Sequence, residues 1–163
     1  MKSCVFPGSF DPITCGHLNL IRRAAGVFDR VTVTVMVNRA KTGTIPAEER
    51  LRLIRKACAE IPNVEADLWN GLLADYMAGR PGSVVVRGIR NTQDAEQEIT
   101  AAGINRQLNP GMETLLIPAE PGWQDVSSSA VREIASFGGD YGRFIPECIR
   151  GDVQRWLIPA KQE

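Results

Sequence analysis

One histidine occurs in 163 residues, at position 17, and the run leading to it reads Pro7-Gly8-Ser9-Phe10-Asp11-Pro12-Ile13-Thr14-Cys15-Gly16. A lone histidine is most often an ordinary surface or core residue. This one closes a glycine-bounded segment that follows a β-type run and opens a helix-type one. Gly8 lets backbone N–H groups approach an anion, and Gly16-His17 falls at the positive end of the helix. An imidazole placed there donates hydrogen bonds to phosphate. The spacing is neither the G-x-G-x-x-G of dinucleotide sites nor the G-x-x-x-x-G-K-[ST] of P-loops.

Three other segments carry matching chemistry. Asn38-Arg39-Ala40-Lys41, taken alone, reads as a solvated basic loop. Arg87-Gly88-Ile89-Arg90 directly follows a strand and sets two guanidinium forks around a glycine, each able to grip phosphate bidentately. Ser127-Ser128-Ser129 precedes a helix. N-capping accounts for one serine, and the surplus hydroxyls are expected to join free N–H groups in holding phosphate. One His, one Lys, two Arg and a serine-rich helix start supply no general base and no Ser-His-Asp nucleophile. Such a set catalyses by positioning and charge stabilisation, the logic of phosphoryl and nucleotidyl transfer. A polyphosphate substrate and a second phosphorylated substrate account for these cations in a chain with 19 Lys+Arg and 19 Asp+Glu.

The elements that must position these groups alternate. β-type runs are Ser3 to Phe6, Val31 to Val37, Val64 to Leu68, Val84 to Val86 and Thr114 to Ile117. Helical spacing joins Leu18, Ile21, Ala24, Ala25 and Phe28, and then Leu51, Ile54, Ala57, Cys58 and Ile61. Pro46, with Glu48 and Glu49, marks the start of the second helix. Leu72 to Met77 is a short helix. Thr92 to Leu108 is a longer one, with Ala101-Ala102-Gly103 expected to allow close packing. A helix follows Ser127-Ser128-Ser129, and a last one starts from about residue 146. This order predicts an α/β fold: a single Rossmann-like domain over 1–163, with a five-stranded, mainly parallel sheet flanked by helices. The four chemistry-bearing segments follow strands one, two, four and five, at the end of the sheet where such folds bind ligands.

Composition narrows the class. Hydrophobic residues at 44% and charged residues at 23% mark a globular chain. Its charge balance excludes general nucleic-acid binding, which demands a basic face. No apolar run approaches a membrane span, and Met1 to Gly8 is no signal peptide, so the expected location is the cytoplasm. Cysteines at 4, 15, 58 and 148 lack C-x-x-C spacing and have one histidine for company. They read as free thiols of a reducing compartment, and no metal ligands are assigned.

Pro7 to His17 resembles the P-G-[ST]-F-D-P-x-T-x-G-H signature of bacterial phosphopantetheine adenylyltransferases, in the nucleotidyltransferase superfamily with a [HT]-x-G-H motif. The resemblance extends through Glu48-Glu49-Arg50, Arg87-Gly88-Ile89-Arg90, Asn105-Arg106 and Val126-Ser127-Ser128-Ser129, to about Ile158. It implies transfer of the adenylyl group of ATP to 4′-phosphopantetheine, giving dephospho-coenzyme A and pyrophosphate. It also implies Mg²⁺, coenzyme A as feedback inhibitor and a homo-oligomer, usually a hexamer. Carried over by position, His17, Lys41, Arg90 and Ser129 would be catalytic. Ser9, Lys41, Leu73, Arg87 and Asn105 would hold the acceptor. Ser9, Phe10, His17, Gly88, Ile89, Arg90 and Glu98 would hold ATP, with Trp123, Gln124, Asp125, Val126, Ser127, Ser128 and Ser129 closing over it.

The chain departs from the family pattern in places. Asp94-Ala95-Glu96-Gln97-Glu98 stands where the family commonly has D-F-E-Y-E, Thr42-Gly43 follows Lys41 in place of Lys and Pro, and Pro46 replaces a Thr. Other superfamily members, such as nicotinate-mononucleotide adenylyltransferases or cytidylyltransferases, usually carry H-x-G-H, where this chain has Thr14. A non-catalytic nucleotide sensor would be expected to lack His17 or Arg90, and a purely structural subunit leaves the cationic rim unexplained. Cys15, at the helix start, is expected to have a lowered pKa. The family's direct in-line transfer gives it no nucleophilic task, so it reads as a small packed residue facing away from substrate.

Overall fold

The computed structural model describes residues 1–37 and 43–157. Five strands, β1 Ser3–Gly8, β2 Arg30–Met36, β3 Val64–Trp69, β4 Ser83–Ile89 and β5 Thr114–Pro118, form one parallel sheet in the order β3-β2-β1-β4-β5. Between and after them run α1 Cys15–Ala25, α2 Ala47–Ala57, α3 Leu73–Ala78, α4 Thr92–Leu108, α5 Ser128–Ser136 and α6 Arg150–Leu157. This is the expected α/β, Rossmann-like architecture.

Local chemistry explains the elements. The interior of β2 alternates Val and Thr, and Val31, Thr32, Val33, Thr34 and Val35 are all buried, as a central parallel strand covered on both faces requires. Leu18, Leu20, Ile21 and Ala24 of α1, and Leu51, Leu53, Ile54 and Ala57 of α2, turn one face of each helix into the core. Glu48 and Glu49 in the first turn of α2, and Arg55 and Lys56 in its last, suit the helix dipole. Asp152 of α6 lies between Arg52 and Lys56 of α2, which fastens the C-terminal helix to the body.

The elements differ from the sequence reading in several places. Helix α2 stops with Cys58 as its C-cap, so Ile61 packs from the following turn. Helix α4 buries no residue, and nothing lies within 4 Å of where a Gly103 side chain would begin. Gly103 therefore serves no close packing within the described residues. Most important, β4 runs through Arg87, Gly88 and Ile89, which pair with Leu116, Ile117 and Pro118 of β5. The Arg-Gly pair is the end of the strand, not the loop after it, because ladder bonds outweigh weak β-propensity.

The sheet is split where the site must lie. β1 pairs with β4 only over Ser3–Val5 and Ser83–Val85, although β1 stays on β2 as far as Gly8 and β4 stays on β5 as far as Ile89. Past Val5 and Val85 the two central strands part. This is the point where strand order reverses, the usual crevice of doubly wound sheets. Arg87 Nη1 donates to the Pro7 carbonyl across the gap.

Candidate active site

The crevice opens as a cavity of about 280 Å³ lined by both strand ends, the start of α1, the start of α5 and one side of α4. Of the residues expected there, Ser9, Phe10, His17, Arg87, Gly88, Arg90, Glu98, Trp123, Val126, Ser127 and Ser128 line it. A neighbouring chamber of about 460 Å³ holds Leu73 and Asn105, with Met36, Ala101 and Ala102. The two share Pro7, Gly8, Ser9, Arg87, Gln97 and Glu98 as a common wall. Lys41 lies outside the described residues.

His17 is fixed by the helix it starts. Thr14 is the N-cap of α1: its hydroxyl accepts from the His17 backbone N–H, and its own N–H donates to His17 Nδ1 at 3.1 Å. A backbone N–H can only donate, so Nδ1 carries no proton and the neutral ring bears it on Nε2. Burial, with Arg87 and then Arg90 nearby, pushes the imidazole pKa down to about 4. At neutral pH the residue is therefore an uncharged donor. The orienting partner is a backbone amide, where the sequence offered no orienting acid.

Close approach dictates two glycines. A side chain at Gly88 would begin 2.3 Å from Leu20 Cδ1, and one at Gly8 would meet the Phe10 ring at 3.0 Å. Phe10 itself has φ of 48°, an uncommon conformation for a bulky residue, and presents its ring edgewise to His17 with centroids 5.1 Å apart. The chain bends here around buried Asp11, whose carboxylate accepts from the N–H groups of Thr44 at 2.9 Å and Ile45 at 2.8 Å. Buried Arg50 donates to the Ser9 carbonyl at 2.7 Å. Asp11 and Arg50 thus shape the loop that carries Ser9, a role the sequence reading left unassigned.

The arginines are charge-compensated. Arg87 gives Nε and Nη2 to Glu98 at 2.8 and 2.6 Å, and Arg90 gives Nε and Nη2 to Asp94 at 2.7 and 3.1 Å. Both acids belong to α4. With His17 neutral, the expected cationic rim consists, among the described residues, of two ion pairs. Arg90 holds the Asp94 carboxyl below the usual carboxylate range.

The three serines divide other work. Ser127 caps α5, accepting from the Ala130 N–H at 3.1 Å. Ser128 donates to the Pro12 carbonyl at 2.7 Å. Ser129 Oγ accepts from Arg132, which also donates to the Asp11 carbonyl, and Ser129 does not line the cavity. Ser127 and Ser128, at the start of α5, bring the helix N-terminus to the crevice wall. Ile89 and Gln124 also stay off the cavity wall, and Asp125 lines a third cavity on the far side of the Trp123–Ser127 segment.

Cys15 departs from expectation in its acidity. Burial raises its pKa, outweighing the opposing pull of Arg150 and Arg22, so the thiol stays protonated. Its sulfur lies 3.9 Å from the Arg143 carbonyl, and it does not line the cavity. Asp94 and Gln97 are wall residues that the sequence reading missed as site residues. The i,i+4 spacing of Arg90 and Asp94 was the available signal. Among the described residues no three His, Cys, Asp or Glu side chains are grouped to hold a metal, and no helix is long and apolar enough to cross a membrane.

Residues 5–134 match the family described as cytidylyltransferase-like. The chain is 42% identical over 163 residues to a phosphopantetheine adenylyltransferase of Clostridium perfringens strain 13, covering 100% of this chain and 99% of that one. It is 40% identical over 149 residues to one of Caldanaerobacter subterraneus subsp. tengcongensis, covering 91% and 93%. It is 45% identical over 155 residues to one of Deinococcus radiodurans, covering 94% and 92%.

Proposed function

We infer that this chain, which belongs to the phosphopantetheine adenylyltransferases of the cytidylyltransferase-like family, transfers the adenylyl group of ATP to 4′-phosphopantetheine. The products are dephospho-coenzyme A and pyrophosphate, in coenzyme A biosynthesis. The observation that carries the reading to this site is the pair of chambers meeting at one wall, with an uncharged donor, His17, beside Arg90 in the first.

ATP occupies the 280 Å³ crevice. Trp123 and Val126 border its nucleoside end. His17 Nε2–H, Arg90 and the first N–H groups of α5 hold the phosphates. The pantetheine arm lies along Leu73, Ala101, Ala102 and Asn105 in the second chamber. Lys41 and Arg87 hold the acceptor phosphate; Met36, at the end of the strand preceding Lys41, lines that chamber. An oxygen of the acceptor phosphate attacks the α-phosphorus in line. The new P–O bond forms as the bond to the β-phosphate bridge breaks, and the electron pair leaves with pyrophosphate. His17 donates to the charge that grows on the transferring phosphoryl oxygens. A neutral donor does so without first being drained by a resting ion pair. The divalent ion that the family suggests, Mg²⁺, would be held by the oxygens of the substrate triphosphate and would offset their charge there. Both pocket carboxylates, Asp94 and Glu98, are already taken by arginine.

Coenzyme A, which contains the product's skeleton, spans the same two chambers and inhibits by occupying them. The enzyme works in the cytoplasm as a homo-oligomer, a hexamer. Helix α4 supports assembly, since none of its residues is fully buried in its own subunit and Ile99, Ile104 and Leu108 stand exposed.

The test is pyrophosphate release from ATP with 4′-phosphopantetheine, nicotinate mononucleotide or glycerol phosphate offered as acceptor. Release only with phosphopantetheine is expected. Preference for either other acceptor would assign the chain to a different branch of the superfamily.

A further inference from the structure

The two arginines of the crevice are bound alike on one edge and differently on the other. A guanidinium presents two forks: a side edge, Nε with Nη2, and an end edge, Nη1 with Nη2. Both side edges are taken, by Glu98 on Arg87 and by Asp94 on Arg90. On Arg87 the end edge is also engaged, because Nη1 donates to the Pro7 carbonyl. Arg87 is thus a brace across the split between β1 and β4 and keeps only two of its five N–H donors for the acceptor phosphate. On Arg90, Nη1 has no partner among the described residues, so one complete bidentate fork remains for an anion.

The acid that holds Arg90 has been diverted from its ordinary task. Asn91 caps α4, accepting from the Asp94 N–H at 2.9 Å, so Asp94 occupies the third helical position. An acid there commonly folds back onto the N-cap backbone N–H. Here Asp94 instead takes the Arg90 guanidinium and, at 3.3 Å, the Arg90 backbone N–H. Three contacts to one residue fix both ends of the Arg90 side chain. The two residues line the same cavity as His17.

We propose that Asp94 is a positioning residue: it grips the side edge of Arg90 so that the opposite edge is aimed at the polyphosphate in the crevice. This rests on the crevice being the ATP site. A flexible arginine must be ordered at the moment of reaction, whereas one already clamped contributes its two parallel hydrogen bonds without that cost. Asp94 gains no contact with substrate in this scheme and acts only through Arg90.

The test is a double-mutant cycle on the intact enzyme. ATP affinity is measured by calorimetry, and turnover by pyrophosphate release at saturating phosphopantetheine. Asp94→Asn keeps the size of the side chain and loses its second strong acceptor. Turnover should fall about 10- to 100-fold, the cost of a misaimed catalytic group, with ATP affinity changed less than about threefold. In an Arg90→Ala background the same substitution should have no further effect, since nothing is left to aim. Asp94→Glu, run through the same cycle, serves where Asp94→Asn fails to fold. Tighter ATP binding with unchanged turnover would make Asp94 a competitor of the phosphate and overturn the proposal. So would an equal loss in both Arg90 backgrounds. A wild-type enzyme that binds no ATP would instead remove the premise, so the two failures read differently.

Discussion

At the scale of single residues, the decisive quantity is the charge of His17. Position 17 was legible from its place between a β-run and a helix. Its protonation state was not, because Thr14, Arg87 and Arg90 reach it through the fold, and spacing alone left neutral and cationic imidazole open. The folded ring titrates near pH 4, below the ordinary 6.5. The unfolded chain takes up its proton as pH falls through 6.5, while the folded one resists until about 4, so the fold loses stability across that window. The ring resonances of His17, followed by NMR, should report an uncharged imidazole through pH 6; a midpoint near 6.5 would remove the electrostatic account. His17→Ala should fold and lose about 10²–10³ in turnover, the usual cost of one transition-state donor. Near-normal turnover in the folded variant would deny His17 its role.

At the scale of elements, the split between β1 and β4 makes the crevice, and two glycines keep it open. Alternation of β-runs and helical stripes predicted the strand sequence and the helices, because burial imposes those periods directly. Strand ends were not legible in the same way. Arg87 and Gly88 look like a loop from residue type, and only pairing with Leu116 and Ile117 draws them into β4. Likewise the serine run reads as a phosphate cradle, and only the fold shows the bonds of Ser128 to the Pro12 carbonyl and of Ser129 from Arg132. Gly88 makes the closest approach among these glycines. A methyl there would begin 2.3 Å from the tip of Leu20, a wall residue of the crevice. Gly88→Ala must therefore swing Leu20 into the cavity or push α1 from β4. Overpacking of this kind costs about 1–3 kcal/mol. Thermal unfolding should show the loss, and calorimetry should show ATP affinity falling at least tenfold. Unchanged ATP affinity would mean that the wall at Leu20 has room that the geometry does not show.

At the scale of the whole molecule, α4 is the anomaly. It has 17 residues and buries none of them. A helix of this length is marginal on propensity alone, so tertiary or quaternary contacts must hold it. Within the chain those contacts include three ion pairs, to Arg87, Arg90 and Glu113, and the Asn109 side chain, next after the helix, on the Ala74 carbonyl. Ala101, Ile104 and Leu108 follow one helical stripe, and Ala101 with Asn105 forms part of the proposed acceptor chamber. Covering that stripe with a second copy would bury Ile104 and Leu108, which stand 55% and 56% exposed, and would finish the outer wall of the chamber. Assembly and acceptor binding should therefore fail together. Ile104→Glu with Leu108→Glu should convert the oligomer to smaller species on sedimentation. The KM for phosphopantetheine should rise several-fold while ATP affinity holds, since the ATP crevice lies on the other side of the Arg87–Glu98 wall. A double variant that sediments like the wild type would show that α4 is no interface. A wild type that sediments as a monomer would end the assembly proposal altogether, and α4 would have to be held by its contacts within the chain alone.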